Sequence, residues 1–169
     1  MTPATLTPDD RRYPKRPLVG VGALIFDRGR ILMAQRGKEP LKGWWSLPGG
    51  ALEIGERLDF AVRREVREET GLEIEPLGVF EIFERIMPDA EGNTEYHYVL
   101  VDYICRVMGG TLRAGDDVCR VEWVKFAALR EMRITEGTLA VIEKAVIEKA
   151  FRKRSRDRKG AIYTIEDQR

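Results

Sequence analysis

The sequence predicts a mixed-sheet sandwich of the α/β or α+β kind, and three observations carry that expectation. Strand-like runs outnumber helical ones, one helical pattern falls early and one late, and no regular strand–helix alternation supports a doubly wound parallel sheet. With 169 residues, 43% of them hydrophobic and 34% charged, the chain has the length of one domain and enough apolar material for a core. Wholly disordered and fibrous classes are excluded.

The elements follow in order. Residues 1–16 lack periodicity and read as an N-terminal arm ahead of a domain over 17–151. Leu18–Phe26 and Ile31–Gln35 read as strands joined by a turn at Asp27–Arg30, where Gly29 supplies the bend. Gly37–Gly50 reads as a loop ending in the breaker Pro48-Gly49-Gly50. Leu58–Thr70 has helical periodicity and stops at Gly71, the expected position just past a helix end. Ile74–Ile86 is strand-like but interrupted by Pro76 and Gly78, and Met87–Thr94 is a polar turn. Tyr96–Val107 alternates as a long strand, with His97, Val99, Val101, Tyr103 and Cys105 on one face, and Gly109-Gly110 opens another turn. A short strand over Val121–Phe126 precedes a second helix, Thr138–Phe151, with the apolar stripe Leu139, Ile142, Ala145 and Val146. Residues 152–169 form a basic C-terminal tail, read as a solvated charge run.

Several function classes fall away on composition. The 29 Lys+Arg nearly cancel the 28 Asp+Glu, which argues against a nucleic-acid clamp. The longest apolar stretch, Leu18–Phe26, is too short to span a bilayer, and the polar N-terminus is not a secretory signal. Cys105 and Cys119, the two cysteines, are expected to be free, buried thiols in a reducing, cytoplasmic setting. His97 is the sole histidine and sits in a strand, while neither Ser46 nor Ser155 lies in a GxSxG motif, so serine-hydrolase chemistry is excluded. The phosphate loops GxxxxGK[ST] and GxGxxG are missing as well. Chemistry is left to carboxylates, arginines or a metal.

The first helix concentrates those carboxylates. At about 100° per residue, Glu65 and Glu69 fall within about 20° of Leu58, on the stripe that Ala61, Val62 and Val66 bury. Glu68 lies at the margin, while Arg63, Arg64 and Arg67 point largely to the other side. Acids at i and i+4 repel, increasingly so once desolvated, and the helix dipole disfavours them near its C-terminus. A cation must compensate, and a cluster of hard oxygen ligands suits Mg²⁺ or Mn²⁺. Between Gly50 and Gly71, Glu53, Glu56, Asp59, Glu65, Glu68 and Glu69 outnumber Arg57, Arg63, Arg64 and Arg67, leaving a local negative excess.

Gly50, then Glu56, then Arg64-Glu65-Val66-Arg67-Glu68-Glu69-Thr70-Gly71-Leu72 matches the pattern GX5EX7REUXEEXGU at every defined position, so the chain resembles the Nudix family. The resemblance covers roughly residues 17–150, and Trp45–Gly50 is similar to the segment that leads into the box. It implies an α/β fold, a Nudix-type α/β/α sandwich with a mixed β-sheet and a loop–helix–loop catalytic motif. It also implies Mg²⁺ or Mn²⁺ held by Glu65, Glu68, Glu69 and the Gly49 carbonyl. Arg64 would orient Glu65, with Gly50, Glu53 and Glu56 in support, and Glu65 or Glu69 would serve as base. Arg36, Lys38 and Arg85 are candidate phosphate contacts, and Trp44, Phe83 and Tyr96 candidate stacking residues, with Trp45 assigned to the core. Asp116 and Asp117 are candidates for an extra acidic ligand or base, or an ordinary turn pair.

The implied reaction is hydrolysis of a nucleoside diphosphate derivative by water attack on phosphorus. The segments Val121-Glu122-Trp123 and Ile134–Thr138 look more like the ADP-ribose pyrophosphatase branch, favouring ADP-ribose or a similar nucleotide sugar. A MutT-like nucleoside triphosphate pyrophosphohydrolase is the alternative, and a non-catalytic nucleotide-sensing module the remote one. The implied partner is a nucleotide-derived small molecule, with neither membrane nor nucleic acid, and a homodimer is open.

Overall fold

The computed structural model describes residues 11–115 and 117–148. Residues 1–10, the basic tail 152–169, Phe151 and the candidate Asp116 lie outside the described residues.

The described residues form seven strands: β1 (Leu18–Asp27), β2 (Arg30–Arg36), β3 (Trp45–Ser46), β4 (Gly49–Ala51), β5 (Leu72–Pro88), β6 (Thr94–Gly110) and β7 (Val118–Lys125). Helix α1 spans Leu58–Thr70, a 3₁₀ turn spans Phe126–Glu131, and a second helix, α2, covers 138–148. The sheet is mixed: β1 runs parallel to β6 and antiparallel to β2 and β4, while β5 and β7 pair antiparallel with β6 and β2.

Strand alternation splits the core in two. Val21, Ala23 and Ile25 of β1 pack with Ala61, Val62 and Val66 of α1 on one face, joined by Val101, Tyr103 and Cys105 of β6. Leu24 of β1, with Ile31 and Met33 of β2, packs on the other face against Val141, Ile142 and Ala145 of α2. Trp45 is buried in this second layer. The result is the expected helix–sheet–helix sandwich.

Several element boundaries differ from expectation. The Gly37–Gly50 loop contains strand β3 and the start of β4, because the backbone of 45–46 pairs with β2 and that of 49–51 with β1. The interrupted run around Pro76 and Gly78 is one continuous strand whose ladder shifts register at three points between Glu73 and Glu81, and the bulges accommodate the proline. Pairing with β5 carries β6 through Gly109-Gly110, so no turn begins there. Cys105 is buried as expected, but Cys119 is exposed because the start of β7 is open to solvent on both faces, Arg120 being exposed as well. The arm also has order beyond expectation, since Arg12 pairs with Glu95 and Tyr13 donates to Asp89 at the β5–β6 turn.

Candidate active site

Three local decisions bring the glutamates to one place. Helix α1 ends where Gly71 takes a left-handed conformation and its N–H bonds back to the Arg67 carbonyl. Strand β4 lies against the N-terminal half of β1, pairing Gly49 with Gly22 and Gly50 with Val21. Gly49 has a φ of 152°, and a Cβ there would overlap the Val21 carbonyl. A Cβ on Gly50 would overlap the carboxylate of Glu65, so the glycine pair lets the helix's acids reach the strand backbone.

Arg64 organises the cluster. Its Nε and Nη2 donate to the two oxygens of Glu56 at 2.9 Å each, a two-pronged fork. Its Nη1 donates to Glu65 Oε1 at 2.8 Å and Glu68 Oε2 at 3.3 Å, and Nη2 also reaches the Ala51 carbonyl at 3.1 Å. The expectation that Arg64 points away from the acids is therefore corrected, because a long guanidinium stem reaches back across the helix face. This fork holds the Glu56 carboxyl below its ordinary range, whereas burial raises that of Glu65 despite the same partner. Glu53 contributes its backbone, donating to Glu56 Oε2 at 3.2 Å. Glu68 is 60% exposed on its side chain, as its marginal position on the wheel suggests.

Glu69 has a different environment. Gly49 N–H donates to its Oε2 at 2.9 Å, and among the described residues no cation forms an ion pair with it. Burial pushes its carboxyl up to about 8, the neighbouring charge of Glu65 adding to the effect and Arg36 opposing it.

No three acidic, histidine or cysteine groups among the described residues converge closely enough to hold a metal as they stand. The glutamates are instead spread between Arg64 and the Gly49 N–H. Even so, the residues fit a hard divalent cation. Glu65 and Glu69 are oxygen donors of the right type, both withdrawn from water, and Arg64 leaves Glu69 without a positive partner.

Beside the glycine pair opens a cleft on the α2 face of the sheet, lined among others by Arg11, Arg36, Phe83, Arg85, Tyr98 and Asp102. The candidates Arg36, Phe83 and Arg85 are thus brought together here. Arg36 Nε donates to the Pro40 carbonyl at 2.9 Å, and Arg85 Nη2 donates to Glu136 O and, at 3.4 Å, to the hydroxyls of Thr135 and Thr138. Lys38, Trp44 and Tyr96 do not line it. Lys38 pairs with Asp117 on the surface, Trp44 packs under Arg133, and Tyr96 stacks on Tyr98 at 6.3 Å. Asp117 is exposed, and its charge adds slightly to the upward push on Glu69.

A family model for the NUDIX domain matches residues 16–145. The chain belongs to the Nudix family. The chain is 36% identical over 107 residues to an ADP-ribose pyrophosphatase of Methanocaldococcus jannaschii, covering 63% of this chain and 61% of that one. It therefore spans less than two thirds of that curated relative's length. Among solved structures, a MutT Nudix hydrolase from Burkholderia pseudomallei superposes with a TM-score of 0.68 at 30% identity, over 76% of this chain and 98% of the other. The Nudix domain of Shewanella oneidensis NrtR, solved with ADP ribose, superposes with a TM-score of 0.63 at 25% identity, over 85% and 94%. The segment 50–72 of this Nudix chain is the loop–helix–loop around α1.

Sequence reasoning missed Tyr98, Asp102 and Arg11. One signal was available for Asp102: it is the lone acid in the otherwise apolar and aromatic run 98–105, at the opposite parity to Val101 and Tyr103.

Proposed function

We propose that this Nudix protein is a metal-dependent pyrophosphohydrolase that cleaves the pyrophosphate bond of a nucleoside diphosphate derivative, ADP-ribose or a similar nucleotide sugar. The observation that carries the reading is the juxtaposition of half-buried glutamates on α1 with a cleft bearing Arg11, Arg36 and Arg85. A polyanion enters where arginines line the wall, and the acidic corner beside it has the donors for a divalent ion.

Glu65, Glu68 and Glu69, with the Gly49 carbonyl, would hold Mg²⁺ or Mn²⁺, which when bound neutralises phosphate charge and lowers the pKa of coordinated water. The chain's own residues do the rest. Arg64 fixes Glu65 and the box loop through the Glu56 fork, so the carboxylates are positioned before substrate arrives. Glu65 or Glu69 takes the proton of the attacking water, and burial makes either a stronger base than a solvated carboxylate. The water oxygen bonds to one phosphorus while the bridging P–O bond breaks, so ADP-ribose would yield AMP and ribose 5-phosphate. Arg36 stabilises the phosphate charge from the cleft wall. The ADP-ribose preference draws on the names of the Methanocaldococcus relative and the NrtR complex.

A second reading, nucleoside triphosphate pyrophosphohydrolysis, is favoured by the MutT neighbour. A panel of ADP-ribose, NADH, diadenosine polyphosphates and canonical and 8-oxo nucleoside triphosphates, with Mg²⁺ and product identification, tests both. Monophosphate pairs from ADP-ribose support the first reading, and pyrophosphate release from triphosphates supports the second. Failure to turn over any of them removes both.

A further inference from the structure

One buried group in the cleft has no task in the chemistry above. Asp102 is 4% exposed, and among the described residues its Oδ2 has no hydrogen-bond partner. An ionised carboxylate in that state is costly unless something else satisfies it. Its neighbours do not: Glu81, opposite on β5, is an acid engaged with Lys144, and no ion pair joins Asp102 to Arg85. The fold nevertheless makes room for it. Gly22 lies beside it on β1, and a Cβ there would overlap Asp102 Oδ1.

Its placement matters. Gly49, Gly22 and Asp102 are register partners across β4, β1 and β6. At about 4.8 Å between neighbouring strands, Asp102 therefore stands about 10 Å from the backbone beside Glu69. That is the reach of a sugar or a nucleoside from the phosphate that carries it. Arg85, also on the cleft wall, has a buried Nε without a partner among the described residues, while its Nη2 is engaged by Thr135, Glu136 and Thr138. Among the described residues the cleft thus presents one unused acceptor, Asp102 Oδ2, and two unused donors, Arg85 Nε and Arg11 Nε, of which Arg85 is on β5, the strand paired with that of Asp102.

Building on the proposed pyrophosphohydrolase, we propose that Asp102 and Arg85 are the specificity pair for the group attached to the pyrophosphate, Asp102 accepting from its hydroxyl or amino donors and Arg85 Nε donating to an acceptor on the same group. A ribose diol and the amino edge of a purine share this donor–acceptor chemistry. A site built to hydrogen-bond such a group discriminates strongly, because a substrate lacking it leaves buried polar atoms unpaired.

The test uses Mg²⁺-loaded full-length protein, wild type and Asp102→Asn. Asparagine keeps the shape and removes the charge. Calorimetry measures binding of the two monophosphate products of the best substrate in the panel, AMP and ribose 5-phosphate in the case of ADP-ribose, with 2′-deoxy-AMP and IMP as further arms. The pair predicts at least a tenfold weakening of one product and less than twofold for the other, with the kinetic loss falling on KM more than kcat. Selective loss for ribose 5-phosphate assigns the pair to the sugar. Loss for AMP that IMP already shows in wild type assigns it to the amino edge, and loss that 2′-deoxy-AMP already shows assigns it to the nucleoside hydroxyls. Gly22→Ala, which crowds Asp102 without replacing it, gives the same selective loss and serves if the asparagine variant does not fold. Unchanged affinities in a working enzyme overturn the inference alone. A wild type that binds and hydrolyses no nucleotide overturns the functional reading, and the inference with it.

Discussion

The unpaired carboxylate of Asp102 makes a prediction about folding that is independent of catalysis. Burial pushes this carboxyl up from 3.8 to about 6, with Glu81 adding to the rise and Arg85 opposing it. The folded state therefore holds the proton more tightly than the unfolded chain. Its contribution to stability is present in full below 3.8 and is lost as pH rises through 6. A shift of that size corresponds to about 3 kcal/mol in full, of which about 2 kcal/mol falls between pH 4.5 and pH 8. Asp102→Asn removes this dependence, whatever constant cost or gain the amide itself brings. Urea unfolding of metal-free wild type and variant across that range should show the stability difference moving in the variant's favour by about 2 kcal/mol as pH rises, or roughly 4–8 °C in Tm. Parallel stability–pH curves for the two proteins would refute the reasoning, because they would mean that Asp102 titrates alike in the folded and unfolded chain.

Other substitutions probe the site's supports. Arg64→Ala strands the part-buried Glu56 and Glu65, with side chains 16% and 15% exposed, and should cost about 2–4 kcal/mol in chemical denaturation. Arg64→Lys keeps the charge but loses the fork, and should recover only part of that stability. Gly50→Ala, whose methyl overlaps the Glu65 carboxylate, should lower kcat by more than tenfold in steady-state assays, since the side-chain end can move aside but the helix cannot. Lys38→Ala should change kcat/KM by less than twofold, because Lys38 is 63% exposed and does not line the cleft.

Much of this architecture was legible in the sequence, for identifiable physical reasons. Helix α1 announces itself by periodicity and by Gly71, and its acids are adjacent in sequence, so their shared face needs only the helical repeat. The β1–β2 hairpin is equally local. The cleft wall is different, because it is assembled from β1, β5, β6 and the segment leading into α2. Each register shift in β5 turns the following residues to the other face, so parity counted along the sequence misplaces side chains beyond Gly78. On β6, Tyr96 and Tyr98 share a face and stack on each other, yet Tyr98 lines the cleft and Tyr96 does not, a difference of position along the strand that alternation does not reveal. Trp44 and Trp45 are neighbours in sequence, yet only the pairing of β3 with β2 buries the second. Arg64 shows the opposite limit: a helical wheel gives the direction of Cβ, and a guanidinium at the end of a long stem need not follow it.

The half-buried glutamates Glu65 and Glu69 of α1 are proposed as the working centre of a metal-dependent hydrolase. The most direct measurement is the turnover of the best nucleotide substrate by wild type and Glu69→Gln, each with Mg²⁺ and with EDTA, alongside a thermal denaturation curve for each protein. Glutamine removes an acid held by one backbone N–H and touches no core contact, so the variant should stay folded. Wild type should show Mg²⁺-dependent turnover, abolished by chelation and restored by metal, and the folded variant should lose nearly all turnover. Near-wild-type rates in Glu69→Gln, or wild-type activity that survives EDTA, would contradict that proposal.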